Sequence, residues 1–289
     1  MAAPWTIRSL LAWIAQDFAS HGLPSARLDA ELLISFALTL DRVRLYMDLD
    51  RPLASEELAR VRALVVRRRK REPIAYIVGQ REFYRRSFEV TSAVLIPRPD
   101  TETLVERALE LLSEGAALRV LDLCTGSGAL AVTLAAERPQ LTLTATDLSA
   151  AALDVARRNA ERHGVTERIV FVEGDLFAPL PSDARFELIV ANPPYISLPD
   201  MAGLQPEIRL HEPALALESG PEGLDHLARL SAGVQQFLAP GGHVLFEVGQ
   251  GQAPAVIVQL TAAGMLAAQA HQDLGKIERV VEAVAPRLE

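Results

Sequence analysis

From Arg119 onward the sequence alternates short apolar runs with amphipathic stretches of helical period, and few architectures accommodate that alternation. The runs Val120 to Leu123, Leu141 to Thr146, Ile169 to Val172, Phe186 to Ala191 and His243 to Val248 have the length of strands covered on both faces. Helical patterns lie between them at Ala129 to Glu137, Ala150 to His163 and Leu224 to Leu238, the last closed by Pro240-Gly241-Gly242. Strands that alternate with helices join a sheet through crossovers, so the spacing predicts an α/β fold with a doubly wound parallel sheet. Two further segments, Met265 to Gln269 and Ile277 to Val284, are separated by a turn and predict an antiparallel pair at one edge. The expected sheet is mostly parallel and seven-stranded.

The chain before that point follows another rule. Between Thr6 and about Arg71, apolar residues recur at helical spacing: Leu10, Leu11, Ile14; then Leu28, Leu32, Leu33, Phe36; then Leu58, Val61, Leu64, Val65. Breaks at Gly22-Leu23-Pro24 and Arg51-Pro52 divide this stretch into a small helical bundle, with Ser55 read as the N-cap of its last helix. Tyr76 to Gln80, Phe83-Tyr84 and Ser87 to Val90 are β-rich and predict a hairpin connector. The expected domains are therefore a helical bundle over 1–72, a hairpin linker over 73–99 and the sheet domain over 100–289, which suits a chain of 289 residues.

Charge divides along the same line. Residues 1–90 hold fifteen Lys/Arg and eleven Asp/Glu, a balance of +4, which leaves −12 for the remainder of a chain of net charge −8. An acidic sheet domain argues against direct nucleic-acid binding, because phosphate neutralisation dominates such contacts. Arg67-Arg68-Arg69-Lys70-Arg71 stands apart and reads either as the solvated end of a helix or as a docking patch for an acidic partner. No run of ~18 uncharged apolar residues and no secretory-signal pattern occurs, so a cytoplasmic protein without membrane contact is expected. The lone Cys124 and six scattered histidines offer no metal spacing, and His211 and His226 read as solvated side chains; no metal is expected.

In an open α/β sheet the ligand lies beyond the carboxyl ends of the strands. The first such end reads Asp122-Leu123-Cys124-Thr125-Gly126-Ser127-Gly128-Ala129, a turn whose glycines allow close approach to a ligand and whose helix offers free N–H groups. The second strand ends at Asp147, placed to accept both hydroxyls of a ribose, and the third in Gly174-Asp175-Leu176-Phe177, where a carboxylate and apolar neighbours suit an adenine ring. Such a set fits either a dinucleotide or S-adenosyl-L-methionine. Asp122 favours the latter, since a carboxylate attracts its ammonium group and repels a pyrophosphate.

The fourth strand stops at Asn192-Pro193-Pro194-Tyr195. Neither proline has an N–H, so the segment presents carbonyl acceptors with fixed aim. The Asn192 amide oxygen adds a second acceptor for the two hydrogens of an NH2 group, and Tyr195 offers a flat face to a planar amide or base. Held this way, a nitrogen can be aligned with an electrophilic methyl group, and alignment alone lowers a barrier by on the order of ~7 kcal/mol at best. Asn192, Pro193 and Tyr195 are the expected catalytic residues. Asn192 to Tyr195 are the expected substrate contacts.

Asn-Pro-Pro-Tyr after the fourth strand resembles the amino-methyltransferases, a group that includes DNA adenine and protein glutamine enzymes. The first domain separates them. Ser25-Ala26-Arg27-Leu28-Asp29-Ala30-Glu31-Leu32-Leu33, Arg51-Pro52-Leu53, Glu72-Pro73-Ile74-Ala75-Tyr76-Ile77-Val78-Gly79 and Leu95-Ile96-Pro97-Arg98-Pro99-Asp100-Thr101-Glu102 resemble the HemK/PrmC family over essentially the whole chain. The resemblance implies a Rossmann-like class I methyltransferase domain using S-adenosyl-L-methionine. It also implies N5-methylation of the glutamine in the Gly-Gly-Gln motif of class 1 peptide chain release factors; a monomer is expected. Carried across by position, the cofactor contacts are Cys124, Thr125, Gly126, Ser127, Gly128, Asp147, Asp175, Leu176 and Asn192. Cys124 departs from the family's first turn glycine, and Leu176 from the tryptophan of some members. The competing readings are a glutamine methyltransferase of a ribosomal protein, whose first domain should lack the Arg27 to Leu33 signature, and an adenine-N6 nucleic-acid methyltransferase, which needs a basic surface beside the site. A non-catalytic binding module should have lost Asn192 or Asp147, and both are present.

Overall fold

Thr6 opens the first helix, α1 (Ile7–Ser20), with a reciprocal cap: its Oγ1 accepts from the Ser9 N–H at 3.2 Å, and Ser9 Oγ accepts from the Thr6 N–H at 2.9 Å. The computed structural model describes residues 4–287, and these divide into two units, one made of the chain up to Gln80 with Gln205–His211, the other of Arg81–Leu204 with Glu212 onward. Helices α2 (Ala26–Leu38), α3 (Arg42–Met47), α4 (Ser55–Arg69) and α5 (Ile74–Val78) complete the N-terminal part of the first unit. Ile7, Leu11, Ile14, Phe18, Leu33, Ile34, Leu45 and Val61 form its core.

Four local expectations change here. In α2 the inward face is Ala30, Leu33, Ile34 and Ala37, together with the carboxylates Asp29 and Glu31, while Leu28 and Phe36 are 44% and 48% exposed. The helix is rotated because both acids are paired inside: Asp29 accepts from Arg68 Nε at 2.7 Å, and Glu31 from Arg27, Arg42 and Tyr46. The basic run is not a free patch: Arg68 is buried, Arg69 and Lys70 are exposed, and its four arginines are all paired with carboxylates. Arg67 pairs with Glu72, Arg68 with Asp29 and Glu207, Arg69 with Asp17, and Arg71 with Glu207. Ser55 is the first helical residue of α4; Ala54 occupies the cap, where its N–H is taken by Glu57 Oε2 at 2.9 Å. Tyr76 to Val78, read as β-rich, lie in α5, which Gly79 ends with φ +75°.

The second unit begins with a hairpin of β1 (Gln80–Phe83) and β2 (Arg86–Glu89). Tyr84 and Arg85 turn it with φ of 45° and 61°, the left-handed backbone that a two-residue hairpin loop demands. Then follow α6 (Glu102–Leu111), β3 (Arg119–Leu123), α7 (Ala129–Glu137), β4 (Thr142–Asp147), α8 (Ala150–Arg162), β5 (Ile169–Glu173) and β6 (Phe186–Ala191). After α9 (Leu198–Met201), and after α10 (Pro206–His211), which belongs to the first unit, come α11 (Asp225–Phe237), β7 (Leu238–Glu247), α12 (Ala253–Ala262), β8 (Leu266–Gln272) and β9 (Glu278–Val284). The seven strands are ordered β5-β4-β3-β6-β7-β9-β8, the first five parallel and the last two antiparallel to their neighbours. All five central strands and the terminal pair stand where the apolar runs placed them.

Alternation along the strands feeds two cores. Leu188 and Val190 pack on one face, Ile189 and Ala191 on the other. Pro240-Gly241-Gly242 does not separate helix from strand as expected. It lies inside β7, where the pairing with β6 slips between Phe186 and Leu188. The strand order reverses between β3 and β6, which makes their carboxyl ends the walls of a crevice.

Candidate functional site

Beyond β3 the chain must leave the sheet and enter α7 within five residues, and it does so with φ of 59° at Cys124, 55° at Gly126 and 77° at Gly128. A Cβ on Gly128 would meet Cβ and Cα of Ala156 at 3.1 and 3.2 Å, so this glycine serves the packing of the turn on α8. A Cβ on Gly126 would meet nothing within 4 Å. Asn159, fully buried on α8, donates to the Ser127 carbonyl at 2.9 Å and ties the turn down.

Two carboxylates shape the turn from opposite sides. Asp122 Oδ2 accepts from Thr125 Oγ1 at 2.6 Å and from the Ala131 N–H at 3.2 Å, while its Oδ1 has no partner among the described residues. Burial pushes its carboxyl up to about 7. Asp122 does not line the cavity in front of the turn. The expected contact with a ligand's ammonium group is therefore replaced by a role in holding the turn. Asp147 faces the other way: its Oδ2 accepts from the Gly126 N–H at 2.8 Å and its Oδ1 from the Ser149 N–H at 2.9 Å. Burial raises its pKa, with the N–H groups of Ser149, Gly126 and Leu148 pulling against it.

The cavity holds about 260 Å³ and is bounded by Cys124, Thr125, Gly126, Ser127, Asp147, Asp175, Leu176, Asn192 and Pro194. Thr101, His226 and the segment at Ala93 to Pro97 add to its wall. The ends of β3, β4, β5 and β6 are thus brought to one chamber. Leu176 is nearly buried and adopts φ 49°; Asp175 pairs with Arg229 at 2.6 Å on the rim.

The tetrapeptide is split in its orientation. Asn192 donates from Nδ2 to Thr101 Oγ1 at 3.2 Å, which leaves Oδ1 as its acceptor. Pro193 is buried and Tyr195 is turned back: neither lines the cavity. The Tyr195 hydroxyl donates to Glu247 Oε1 at 3.3 Å, and burial beside that carboxyl pushes the phenol up. The Tyr195 carbonyl accepts from Gln252 Nε2 at 2.9 Å. Gln252 also donates to the Gly223 carbonyl at 3.2 Å, and its Oε1 accepts from the Gly249 N–H. Beyond Tyr195, the Ile196 N–H donates to the Leu217 carbonyl, the Ile196 carbonyl accepts from the Ser219 N–H and the Leu198 N–H donates to the Gly220 carbonyl, fixing the exit of the motif.

Four polar residues of this region escape sequence reading. Glu247, 1% exposed at the end of β7, is raised to about 7 by burial. A carboxylate closing the run Val244-Leu245-Phe246 was the available signal. Thr101 and Gln252 carry no local pattern. His226, read as solvated, borders the cavity with Nδ1 2.9 Å from Ser219 Oγ, and burial lowers its pKa.

Known proteins place these features in a lineage. Residues 9–79 match the PrmC N-terminal domain and residues 100–203 the methyltransferase small domain. A release factor glutamine methyltransferase of Geobacter sulfurreducens is 47% identical over 277 residues, 96% of both chains. One of Xylella fastidiosa (strain 9a5c) is 46% identical over 90% of this chain and 94% of its own. The fold is also similar to that of a methyltransferase from Pyrococcus furiosus, with a TM-score of 0.51 at 18% identity over 69% of this chain and 88% of the other. The chain belongs to the release factor glutamine methyltransferase family.

Proposed function

We propose that this protein methylates the N5 amide nitrogen of the glutamine in the Gly-Gly-Gln motif of class 1 peptide chain release factors, using S-adenosyl-L-methionine. The observation that carries this reading is Asn192: it stands on the wall of a chamber shared with the glycine turn and Asp147, and one hydrogen of its Nδ2 is given to Thr101, which orients the amide and leaves Oδ1 as the acceptor for a guest. An acceptor suits an NH2 group and repels a carbonyl or carboxylate.

The residues present fit the methyl donor. Gly126 leaves open the space that any side chain would fill, and both Asp147 oxygens retain lone pairs after accepting one N–H each, which suits a pair of ribose hydroxyls. Cys124, Thr125 and Ser127 would line its amino-acid end, and Asp175 and Leu176 its base. When bound, the donor supplies an electrophilic methyl group on a sulfonium. The chain's own part is to hold: Asn192 Oδ1 accepts one hydrogen of the target amide, the carbonyls of the Asn192-Pro193-Pro194 segment accept the other, and the buried prolines fix their aim. Tyr195 acts from behind, through the backbone it anchors and the hydroxyl it gives to Glu247. The helical unit is assigned to recognition of the protein substrate, with the chain working as a cytoplasmic monomer.

Incubation of the purified protein with isotopically labelled S-adenosyl-L-methionine and unmodified release factor, followed by peptide mapping in a mass spectrometer, tests this directly. Label is expected on the Gly-Gly-Gln glutamine alone. Label on a ribosomal protein or on nucleic acid, with the release factor untouched, would overturn the assignment.

A further inference from the structure

His226 stands in the wall of the chamber, and neither the glycine turn nor the tetrapeptide accounts for its polar tip. It is the second residue of α11, so its own N–H belongs to a helix start and has no partner within the helix. Ser219, 1% exposed and upstream of the helix, meets that need: its Oγ accepts from the His226 N–H at 3.0 Å. The same oxygen lies 2.9 Å from Nδ1 of the ring. Ser219 is itself held in place, since its N–H donates to the Ile196 carbonyl just beyond the tetrapeptide.

This pair of contacts decides which ring nitrogen carries the hydrogen. A hydroxyl has one hydrogen to give, and Ser219, shut away from water, has no acceptor for it among the described residues except Nδ1. Nδ1 is then the acceptor of the ring and Nε2 its donor, since a neutral imidazole has one of each. Burial, and Arg229 after it, lower the pKa of the ring, while Asp175, Asp225 and Glu218 pull the other way, and the neutral form prevails at neutral pH. Nε2 has no hydrogen-bond partner among the described residues.

Helix α11 places that donor at the base end of the chamber. His226 and Arg229 are neighbours on one helix face, and Arg229 pairs with Asp175 at 2.6 Å. Asp175 and Leu176, to which the base of the methyl donor is assigned, bring only acceptors and an apolar side chain. An adenine edge carries an amine that such a carboxylate can accept, and beside it ring nitrogens that require a donor. Arg229 is spent on Asp175 and does not line the chamber, whereas His226 does.

We propose that His226 is a specificity-determining contact for S-adenosyl-L-methionine, its Nε2–H donating to a ring nitrogen of the adenine. The proposal rests on the methyl-donor reading of the chamber.

Titration calorimetry of the full chain with S-adenosylhomocysteine tests it without turnover. His226→Phe keeps a flat ring and loses the donor, whereas His226→Gln keeps a donor. The first should weaken binding about tenfold and the second no more than about threefold, with melting points recorded to show that both variants fold. The 1-deaza, 3-deaza and 7-deaza analogues of S-adenosylhomocysteine each replace one ring nitrogen by C–H. One of them should bind the wild type about tenfold worse than the parent compound, yet bind His226→Phe about as well as the parent does. Equal affinity of wild type and His226→Phe for the parent, a wild type that binds all three analogues as well as the parent, or losses that simply add for all three overturns the proposal. A raised KM for the release factor in His226→Phe with unchanged affinity for S-adenosylhomocysteine assigns the residue to the protein substrate and overturns it too. Should the wild type bind no S-adenosylhomocysteine at all, the methyl-donor reading falls and takes this contact with it. Should it bind as described and label no release factor, the substrate assignment falls and the His226 contact stands.

Discussion

Gly126 gives its N–H to Asp147 Oδ2 at 2.8 Å, so the carboxylate that ends β4 also clamps the glycine turn that follows β3. One side chain therefore serves the shape of the cradle and its chemistry together. Asp147→Ala removes the clamp and the ribose acceptors at once, and affinity for S-adenosylhomocysteine should fall by about 100-fold, or near 3 kcal/mol. Titration calorimetry checks it; a loss smaller than about threefold would remove Asp147 from the cofactor site.

Asn192→Ala separates binding from transfer. Deleting an acceptor that meets only the reacting amide should lower kcat by on the order of 10²- to 10³-fold. Cofactor affinity should stay within about threefold, since the residues of the turn and Asp147 are untouched. Unaltered turnover on a release factor would end the role given to this residue.

Gly223 supports the tetrapeptide from below. At φ +74° its absent Cβ would sit 2.4 Å from the Tyr195 carbonyl oxygen and 2.8 Å from Gln252 Nε2, so Gly223→Ala must displace the motif's anchor. It should destabilise the protein by about 2–4 kcal/mol and depress kcat besides. Gly251, at φ +84° with nothing within 4 Å of its Cβ position, is the control, and Gly251→Ala should cost about 1 kcal/mol of backbone strain without loss of turnover. Equal melting points for the two variants would contradict the steric account.

Asp122 makes stability depend on pH. Its carboxyl is raised by burial from an ordinary 3.8 to about 7 in the folded chain, so the folded state holds the proton more tightly than the unfolded one. That contribution is fully present below the unfolded value and is lost as pH rises through about 7, on the order of 4 kcal/mol at most. Asp122→Asn cannot titrate, and its unfolding free energy should fall less than that of the wild type between pH 5 and pH 8. Parallel curves for the two proteins in urea melts across that range would refute it.

The parts of this fold that were legible in the sequence are those set by local period. Val120 to Leu123 and Phe186 to Ala191 are long enough and apolar enough that only a covered strand accommodates them, and Gly126 and Gly128 mark the turn between strand and helix without reference to anything distant. Errors arose where a distant partner decides. Leu28 and Phe36 lost the inward face of α2 because Asp29 had to reach Arg68, a residue on another helix. Tyr76 to Val78 have β propensity, yet five residues between Pro73 and Gly79 close a helical turn. Cofactor and substrate residues could be proposed from strand ends alone. Thr101 and Glu247 could not, because the bonds they make to Asn192 and Tyr195 depend on the start of α6 and the end of β7 being brought to the motif after β6, a tertiary fact with no echo in either neighbourhood.

The place of β9 bears on how such a protein is made. It pairs with β7 on one side and β8 on the other, so a strand synthesised after both is inserted between them. Until Glu278 to Val284 are synthesised, β7 has a bare edge carrying the row that ends in Glu247, and β8 has no partner at all. Long-range pairing of this kind is slow to form and leaves strand edges exposed to other chains while it waits. A nascent chain stalled before Glu278 is therefore a candidate for chaperone capture, and loss of β9 removes an inner stave of the sheet.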